Sequence, residues 1–209
     1  MKKEINKGIF IEGLCKSFGD YVLFDNFNLN IESREFVVIA GESGCGKTTL
    51  LNMIGGLETI DNGKVYVNGY DIVNMKDFKN YFRHEVGFIF QNFALVEQKT
   101  VKENLEMVHP NGKSGLSVKE ALKIIGMEKA IHQKVYTLSG GEQQRISLAR
   151  LLMKDCNLIL ADEPTASLDR RNGEIIIDFL KQINKNGKTV IMVTHDENLM
   201  EEGNRTIYL

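Results

Sequence analysis

Three short stretches carry residue types that do chemistry on phosphates. Gly41-Glu42-Ser43-Gly44-Cys45-Gly46-Lys47-Thr48 follows an apolar run and precedes a stretch of helical character. In that setting G-x-x-x-x-G-K-[ST] is a phosphate loop. Its glycines let backbone N–H groups turn inward on a β-phosphate. Lys47 supplies a point charge to the β/γ oxygens, Thr48 offers a hydroxyl to Mg²⁺, and Thr49 can reach an α-phosphate. Further on, Leu158-Ile159-Leu160-Ala161 leads into Asp162 and Glu163. Adjacent carboxylates on a buried run are costly without a cation, and strand ends in open α/β sheets are where ligands bind. Asp162 is therefore expected to hold Mg²⁺ through water, and Glu163 to polarise an attacking water. Between these stretches lies Leu138-Ser139-Gly140-Gly141-Glu142. Ser139 and Glu142 have the spacing of a capping box. The helix they open, through Arg145, Leu148 and Leu152, should begin with free N–H groups and a positive dipole end, an anion site separate from the first.

These residues need a scaffold, and the hydrophobic pattern supplies one. Phe36–Ala40 is continuously apolar and ends in glycine, as a buried parallel strand does. A helix is predicted over Lys47–Ile54, stopping at Gly55-Gly56. Residues 157–162 and 189–194 read as further buried strands. Ile175, Ile176, Phe179, Leu180 and Ile183 mark a helix between them, with Gly187 beyond its end. Strand–helix alternation predicts an α/β fold with a parallel sheet. The first 35 residues and about 60–75 differ: Val65-Tyr66-Val67-Asn68-Gly69 alternates and then turns, which predicts a small antiparallel β subdomain. Thr100…Glu103 and Ser117…Glu120 are two more capping-box spacings, and Gly126 can end the second helix, with Leu122, Ile124 and Ile125 on its apolar side. Residues from about 92 to 138 thus form an inserted helical subdomain. The expected organisation is one domain over 1–209, with the core and β subdomain in 1–91 and 139–209.

Bulk properties exclude several classes. A formal net charge of −2 offers no global basic field for nucleic acid. Cys15, Cys45 and Cys156 form no CxxC pair, so no disulfide framework or zinc site is expected. Residues 1–7 lack an apolar signal core, and the longest apolar runs are too short to span a bilayer. A membrane role would need another chain to do the spanning.

Taken together, Leu138–Glu142, the phosphate loop and the acidic strand resemble the motif set of ATP-binding-cassette (ABC) ATPases, over essentially the whole chain. The resemblance implies a P-loop NTPase core, ATP and Mg²⁺ as ligands, and roles for further residues. Gln91, ending Val86-Gly87-Phe88-Ile89-Phe90-Gln91, resembles the Q-loop glutamine that senses Mg²⁺ and the transporter partner. His195 in Val193-Thr194-His195-Asp196 resembles the switch histidine that contacts the γ-phosphate. Ser167-Leu168-Asp169 resembles the D-loop, which crosses a dimer interface. Phe18 in Lys16-Ser17-Phe18-Gly19 resembles the aromatic that stacks on adenine; a core aromatic is the alternative, with Tyr21 then the stacker. The resemblance also implies a second copy, paired head to tail, so that Ser139, Gly140, Gly141, Gln143 and Asp169 complete the partner's ATP site.

Glu163-Pro164-Thr165, Gly140–Arg145 and Gly-Phe-Ile-Phe-Gln resemble the macrolide-export and lipoprotein-release group. Gln91–Val96 and Ala149–Met153 look most like bacteriocin-export ATPases of Gram-positive bacteria. Ala166 and Thr48 depart mildly from that group's usual Gly and Ser. The implied assembly is a cytoplasmic ATPase on the inner face of the cell membrane. It would power a separate permease subunit, with a possible extracytoplasmic adaptor. Phe93, Leu95 and Val96 either line the groove for a short helix of that subunit or build the helical subdomain's core. A mechanotransmitting envelope complex and a soluble cluster-assembly ATPase are the alternatives. The chain ends soon after His195, so no regulatory C-terminal domain is expected. Cys45, as in other cysteine-bearing phosphate loops, should make ATP binding sensitive to thiol reagents.

Overall fold

Two hydrophobic periodicities divide the chain into layers. A computed structural model describes residues 7–166 and 168–209; residues 1–6 and Ser167 of the expected D-loop lie outside the described residues. The elements run β1 (Gly8–Phe18), β2 (Tyr21–Glu32), β3 (Phe36–Ala40), α1 (Lys47–Ile54), β4 (Asn62–Val67), β5 (Tyr70–Asp71), α2 (Lys79–His84) and β6 (Val86–Ile89). They continue with α3 (Val101–Leu105), α4 (Val118–Ile124), α5 (Gly140–Leu152), β7 (Leu158–Asp162), α6 (Arg170–Lys185), β8 (Thr189–Val193) and β9 (Arg205–Tyr208).

The alternating segments form a four-stranded antiparallel sheet in the order β2-β1-β4-β5. Asn68 and Gly69 both take left-handed backbone (φ 46 and 89), as the two-residue hairpin turn between β4 and β5 requires. The continuously apolar segments form a five-stranded sheet, β6-β7-β8-β3-β9, in which every neighbouring pair is parallel. All five residues of β3 and of β8 are buried, because helices or the other sheet cover both faces. Glu85 ties the two sheets together. Its buried carboxylate accepts from Asn68 Nδ2 and Asn157 Nδ2, while its carbonyl accepts from the Asn157 and Leu158 amides.

The sheet order lays out the chemistry. Moving from β6 to β3, the C-terminal ends lead into Gln91, then Asp162 and Glu163, then His195, then the phosphate loop. Thr48 and Asp162 are 114 residues apart and Glu163 and His195 are 32 apart, yet parallel pairing brings all of these groups to one edge.

A separate apolar cluster contains Val101, Leu105, Ala121, Leu122, Val135 and Leu138. The capping boxes expected at Thr100, Ser117 and Ser139 are all formed. Helix α5 belongs to two clusters at once: Ile146, Ala149 and Met153 face this one, and Leu148 and Leu151 face the parallel sheet.

Two apolar assignments need correction. On α6, Ile175 is exposed and Ile177 is buried beside Ile176, Leu180 and Ile183. Those last three keep the i, i+4, i+7 stripe, and Ile175 stands about 100° off it. On α4, Ala121 and Leu122 are buried and Ile124 is 56% exposed, for the same reason of helical phase.

Candidate functional site

The phosphate loop leaves β3 at Gly41 and enters α1 at Lys47. Gly46 caps the helix in left-handed backbone (φ 101) with no side-chain cap bond, so the first-turn N–H groups stay available to an anion. A Cβ on Gly46 would come within 2.9 Å of Phe24 Cζ, so space as well as backbone selects glycine there. The Lys47 ammonium donates to the carbonyls of Gly41 (2.8 Å) and Glu42 (2.7 Å). A third, longer contact runs to Cys45 Sγ at 3.9 Å, so all three donors brace the loop and a phosphate oxygen takes the place of one of these acceptors.

Thr48 Oγ1 donates to Asp162 Oδ1 at 2.9 Å. Burial is the main influence raising the Asp162 pKa, and the neighbouring Glu163 charge adds to it; the Thr48 bond and Lys47 act the other way. A hydroxyl and a destabilised carboxylate, both oxygen donors, fit a hard divalent ion such as Mg²⁺. Among the described residues no group of three or more His, Cys, Asp or Glu forms a protein cage.

Glu163 follows directly, in left-handed backbone (φ 45). Such a conformation is unfavourable for a residue with a Cβ, and it is held because the Glu163 amide donates to Val193 O at 3.0 Å. That bond crosses to the end of β8, two residues before His195. The side chains then meet: His195 Nδ1 lies 2.7 Å from Glu163 Oε1. With Glu163 ionised and the ring neutral, the ring proton sits on Nδ1 and Nε2 is an acceptor; donation to a phosphate oxygen needs the imidazolium.

A cleft of about 440 Å³ joins these groups. It is lined by Ser43, Gly44, Gly46, Lys47, Thr48, Thr49, Gln91, Glu163 and His195, with Phe18, Tyr21 and Leu23 at one end. Phe18 is 49% exposed and Tyr21 60%, so neither is a core aromatic. The Lys16 ammonium sits 4.7 Å above the Phe18 ring.

Ser139, Gly140, Gly141, Gln143 and Asp169 do not line this cleft. Gly140 borders an adjoining hollow with Thr48, Gln91 and Asp162, and Asp169 lines another. Ser139 Oγ and N both bond Glu142 Oε2 at 2.8 Å, and the backbone bond is the main cause holding the Glu142 carboxyl below its ordinary value. The free donors at this helix start are therefore the Gly140 and Gly141 amides, and a carboxylate already offsets part of the dipole. Asn172 packs over Gly141, where a Cβ would lie 2.8 Å from its side chain. It also bonds Asp169 and accepts from Arg145 Nη1. Sequence reasoning missed Asn172; its position three residues after the Asp169 helix cap is the only local signal.

A second, apolar groove of about 560 Å³ lies between the parallel sheet and the helical region. Phe82, Phe88, Phe90, Ala94, Met107 and Val108 line it, with Arg83, Arg150 and Lys154 among its basic groups. Phe93, Leu95 and Val96 are not part of it. Leu95 packs on the helical cluster, Phe93 faces the hollow beside Asp162, and the Val96 amide and carbonyl bond the side-chain amide of Asn104. Left-handed backbone at Phe93 and Ala94 turns the chain so that Ala94 meets the groove.

Comparison with known proteins agrees with this geometry. The family model described as "ABC transporter" matches residues 24–166. The chain is 39% identical over 206 residues to the macrolide export ATP-binding/permease protein MacB of Campylobacter jejuni, covering 95% of this chain and 32% of that protein. It thus spans about a third of the length of its MacB relatives. It is 42% identical over 217 residues to the uncharacterized ABC transporter ATP-binding protein MJ0796 of Methanocaldococcus jannaschii, covering 96% and 92%. Among solved structures it is similar to a dimeric post-hydrolysis state of the MJ0796 cassette bound to ADP and Pi, with TM-score 0.85, 37% identity, and 96% and 94% coverage. A further dimeric MJ0796 structure has TM-score 0.87 at 38% identity. A parallel sheet carrying a phosphate loop, an acidic strand end and a capped glycine helix, matched along nearly the whole chain, means that this protein belongs to the ABC transporter family, as one of its ATP-binding domains.

Proposed function

We propose that this chain is the Mg²⁺-dependent ATPase of an export assembly, acting on a separate integral membrane permease. The observation that carries the hydrolytic reading is the Glu163–His195 pair at 2.7 Å, at the rim of the cleft that holds Lys47 and Thr48. In this reading the phosphates of ATP lie on the amides of 41–49, and adenine stacks on Phe18 or Tyr21. Glu163 accepts a proton from the attacking water, and His195 orients that carboxylate and meets the γ-phosphate in its protonated form. Thr48 and Asp162 would hold Mg²⁺, with Gln91 beside them; the ion supplies neutralisation of charge on the β/γ oxygens.

Ser139, Gly140, Gly141, Gln143 and Asp169 act on the ATP of a second copy. Their position outside the chain's own cleft supports this, as do the dimeric states of the similar cassette. ATP then supplies attraction between two copies, and hydrolysis removes it. The permease engages the groove lined by Phe82, Phe90 and Met107 from the cytoplasmic side, and no described helix is long and apolar enough to cross a membrane itself. Cargo of the peptide, drug or lipophilic class, and an extracytoplasmic adaptor, follow from the likeness to MacB. The test has two parts. Purified protein should hydrolyse ATP with Mg²⁺ and not with excess chelator. A mild-detergent pull-down should retain a polytopic membrane protein. A soluble partner alone, with the cassette folded and active, would favour a soluble ABC ATPase instead.

A further inference from the structure

The chain after Gln91 turns through two consecutive left-handed residues, Phe93 (φ 61) and Ala94 (φ 48), and neither is glycine. Side chains disfavour that backbone, so such a turn persists only where its surroundings over-determine it. Local bonds close it: Phe93 N donates to Phe90 O (3.0 Å) and Ala94 N to Asn92 O (2.7 Å). The outward carbonyls are taken by one distant side chain. Arg150 Nη1 donates to Ala94 O at 2.5 Å and Nη2 to Phe93 O at 3.1 Å.

Arg150 sits on α5, and among the described residues no carboxylate pairs with it; its hydrogen-bond partners are these two carbonyls. Burial lowers its pKa, which marks the guanidinium as withdrawn from water. A planar guanidinium presents its donors in a fixed fork, so it holds two carbonyls in one geometry, whereas the donors of an ammonium rotate freely and impose no such geometry. The clamped segment is also a partition. Gln91 lines the nucleotide cleft on one side. Phe90, Ala94 and Arg150 itself line the apolar groove on the other.

We propose that Arg150 is a positioning residue for hydrolysis: by clamping the carbonyls of Phe93 and Ala94 it sets the place of Gln91 at the cleft. This rests on the ATPase reading above.

The test is a double-mutant cycle on the full chain with Arg150→Lys, Gln91→Ala and the pair. Each protein is read by kcat and KM for ATP and by amide hydrogen exchange across 91–96. Arg150→Lys is expected to leave KM within about twofold and lower kcat roughly tenfold. It should speed exchange at 92–96 without changing it in α1 or β7. The double variant should be no slower than Gln91→Ala alone. Losses that multiply, or unchanged exchange at 92–96, overturn the proposal. If Arg150→Lys does not fold, Arg150→Gln enters the same cycle with the same criteria. If the parent hydrolyses no ATP, the ATPase reading fails, and the exchange comparison still decides whether Arg150 holds the turn.

Discussion

His195 Nδ1 lies 2.7 Å from Glu163 Oε1 although 32 residues separate them. The contact follows from the pairing of β7 with β8, and from the Glu163 amide bonding Val193 O. In the proposed hydrolysis it joins the group assigned to activating water with the group assigned to the γ-phosphate. Glu163→Gln should keep ATP binding and ATP-driven dimerisation while kcat drops by about 10²–10⁴. Turnover assays with light scattering check both. Turnover equal to the parent would remove Glu163 from this role.

Asp162 is a liability until a cation is bound. Folding raises its pKa above the ordinary 3.8, so the folded chain holds that proton more tightly than the unfolded one. Its contribution is fully present below the unfolded value and is lost as pH rises through the folded one. At pH 7 the ionised group therefore costs stability. Asp162→Asn keeps an acceptor for Thr48 and should raise Tm at pH 7 by roughly 2 °C, with the gap closing towards pH 4. Mg²⁺ should raise Tm in the parent only. Identical melts at pH 7 would contradict this account.

The capping carboxylates have the opposite sign. Glu103 and Glu142 are held below 4.5 first by their caps' backbone amides, and Glu120 first by the Ser117 hydroxyl. Their stabilisation is present above 4.5 and is lost as pH falls through the depressed folded values. Helicity measured by far-UV circular dichroism should decline below pH 4.5. Replacing all three with Gln should flatten that decline; an unchanged profile would count against the caps as its source.

Met107 and Leu95 separate coupling from folding. Met107 is exposed in the groove, and Leu95 packs on the helical cluster. Met107→Glu should retain soluble ATPase activity and lose the membrane partner in pull-downs. Leu95→Glu should lose stability, by about 2 kcal/mol, because it puts a carboxylate against apolar side chains. Denaturant melts decide the second, and the reverse assignment of effects would reject the groove as the docking face.

Cys45 lies in the phosphate loop with its Sγ 3.9 Å from Lys47 Nζ. Stoichiometric labelling with a bulky maleimide should abolish ATP binding, and ATP present beforehand should slow the labelling. Full activity after complete labelling would show that the loop accommodates the adduct.

Local signals were legible where neighbours in sequence are neighbours in space. Gly41–Thr48 is a continuous loop, so its glycines and lysine carry their meaning without tertiary contacts. The boxes at Thr100, Ser117 and Ser139 are three-residue relationships, and all three form. The ends of α1 follow from Gly46 and Gly55. Helical phase was less legible: Ile124 and Ile175 share residue type with their buried neighbours, and only the packed helix shows which side meets the core.

By itself the sequence determined the phosphate loop, the capped glycine helix, the acidic strand end and the family they belong to, because each is a short contiguous pattern. Only the tertiary structure decided which distant groups touch. The strand order β6-β7-β8-β3 brings Thr48 to Asp162 and Glu163 to His195. The two-sided packing of α5 brings Arg150 to the carbonyls after Gln91. Such contacts depend on chain crossovers and helix orientation, which one-dimensional spacing does not encode.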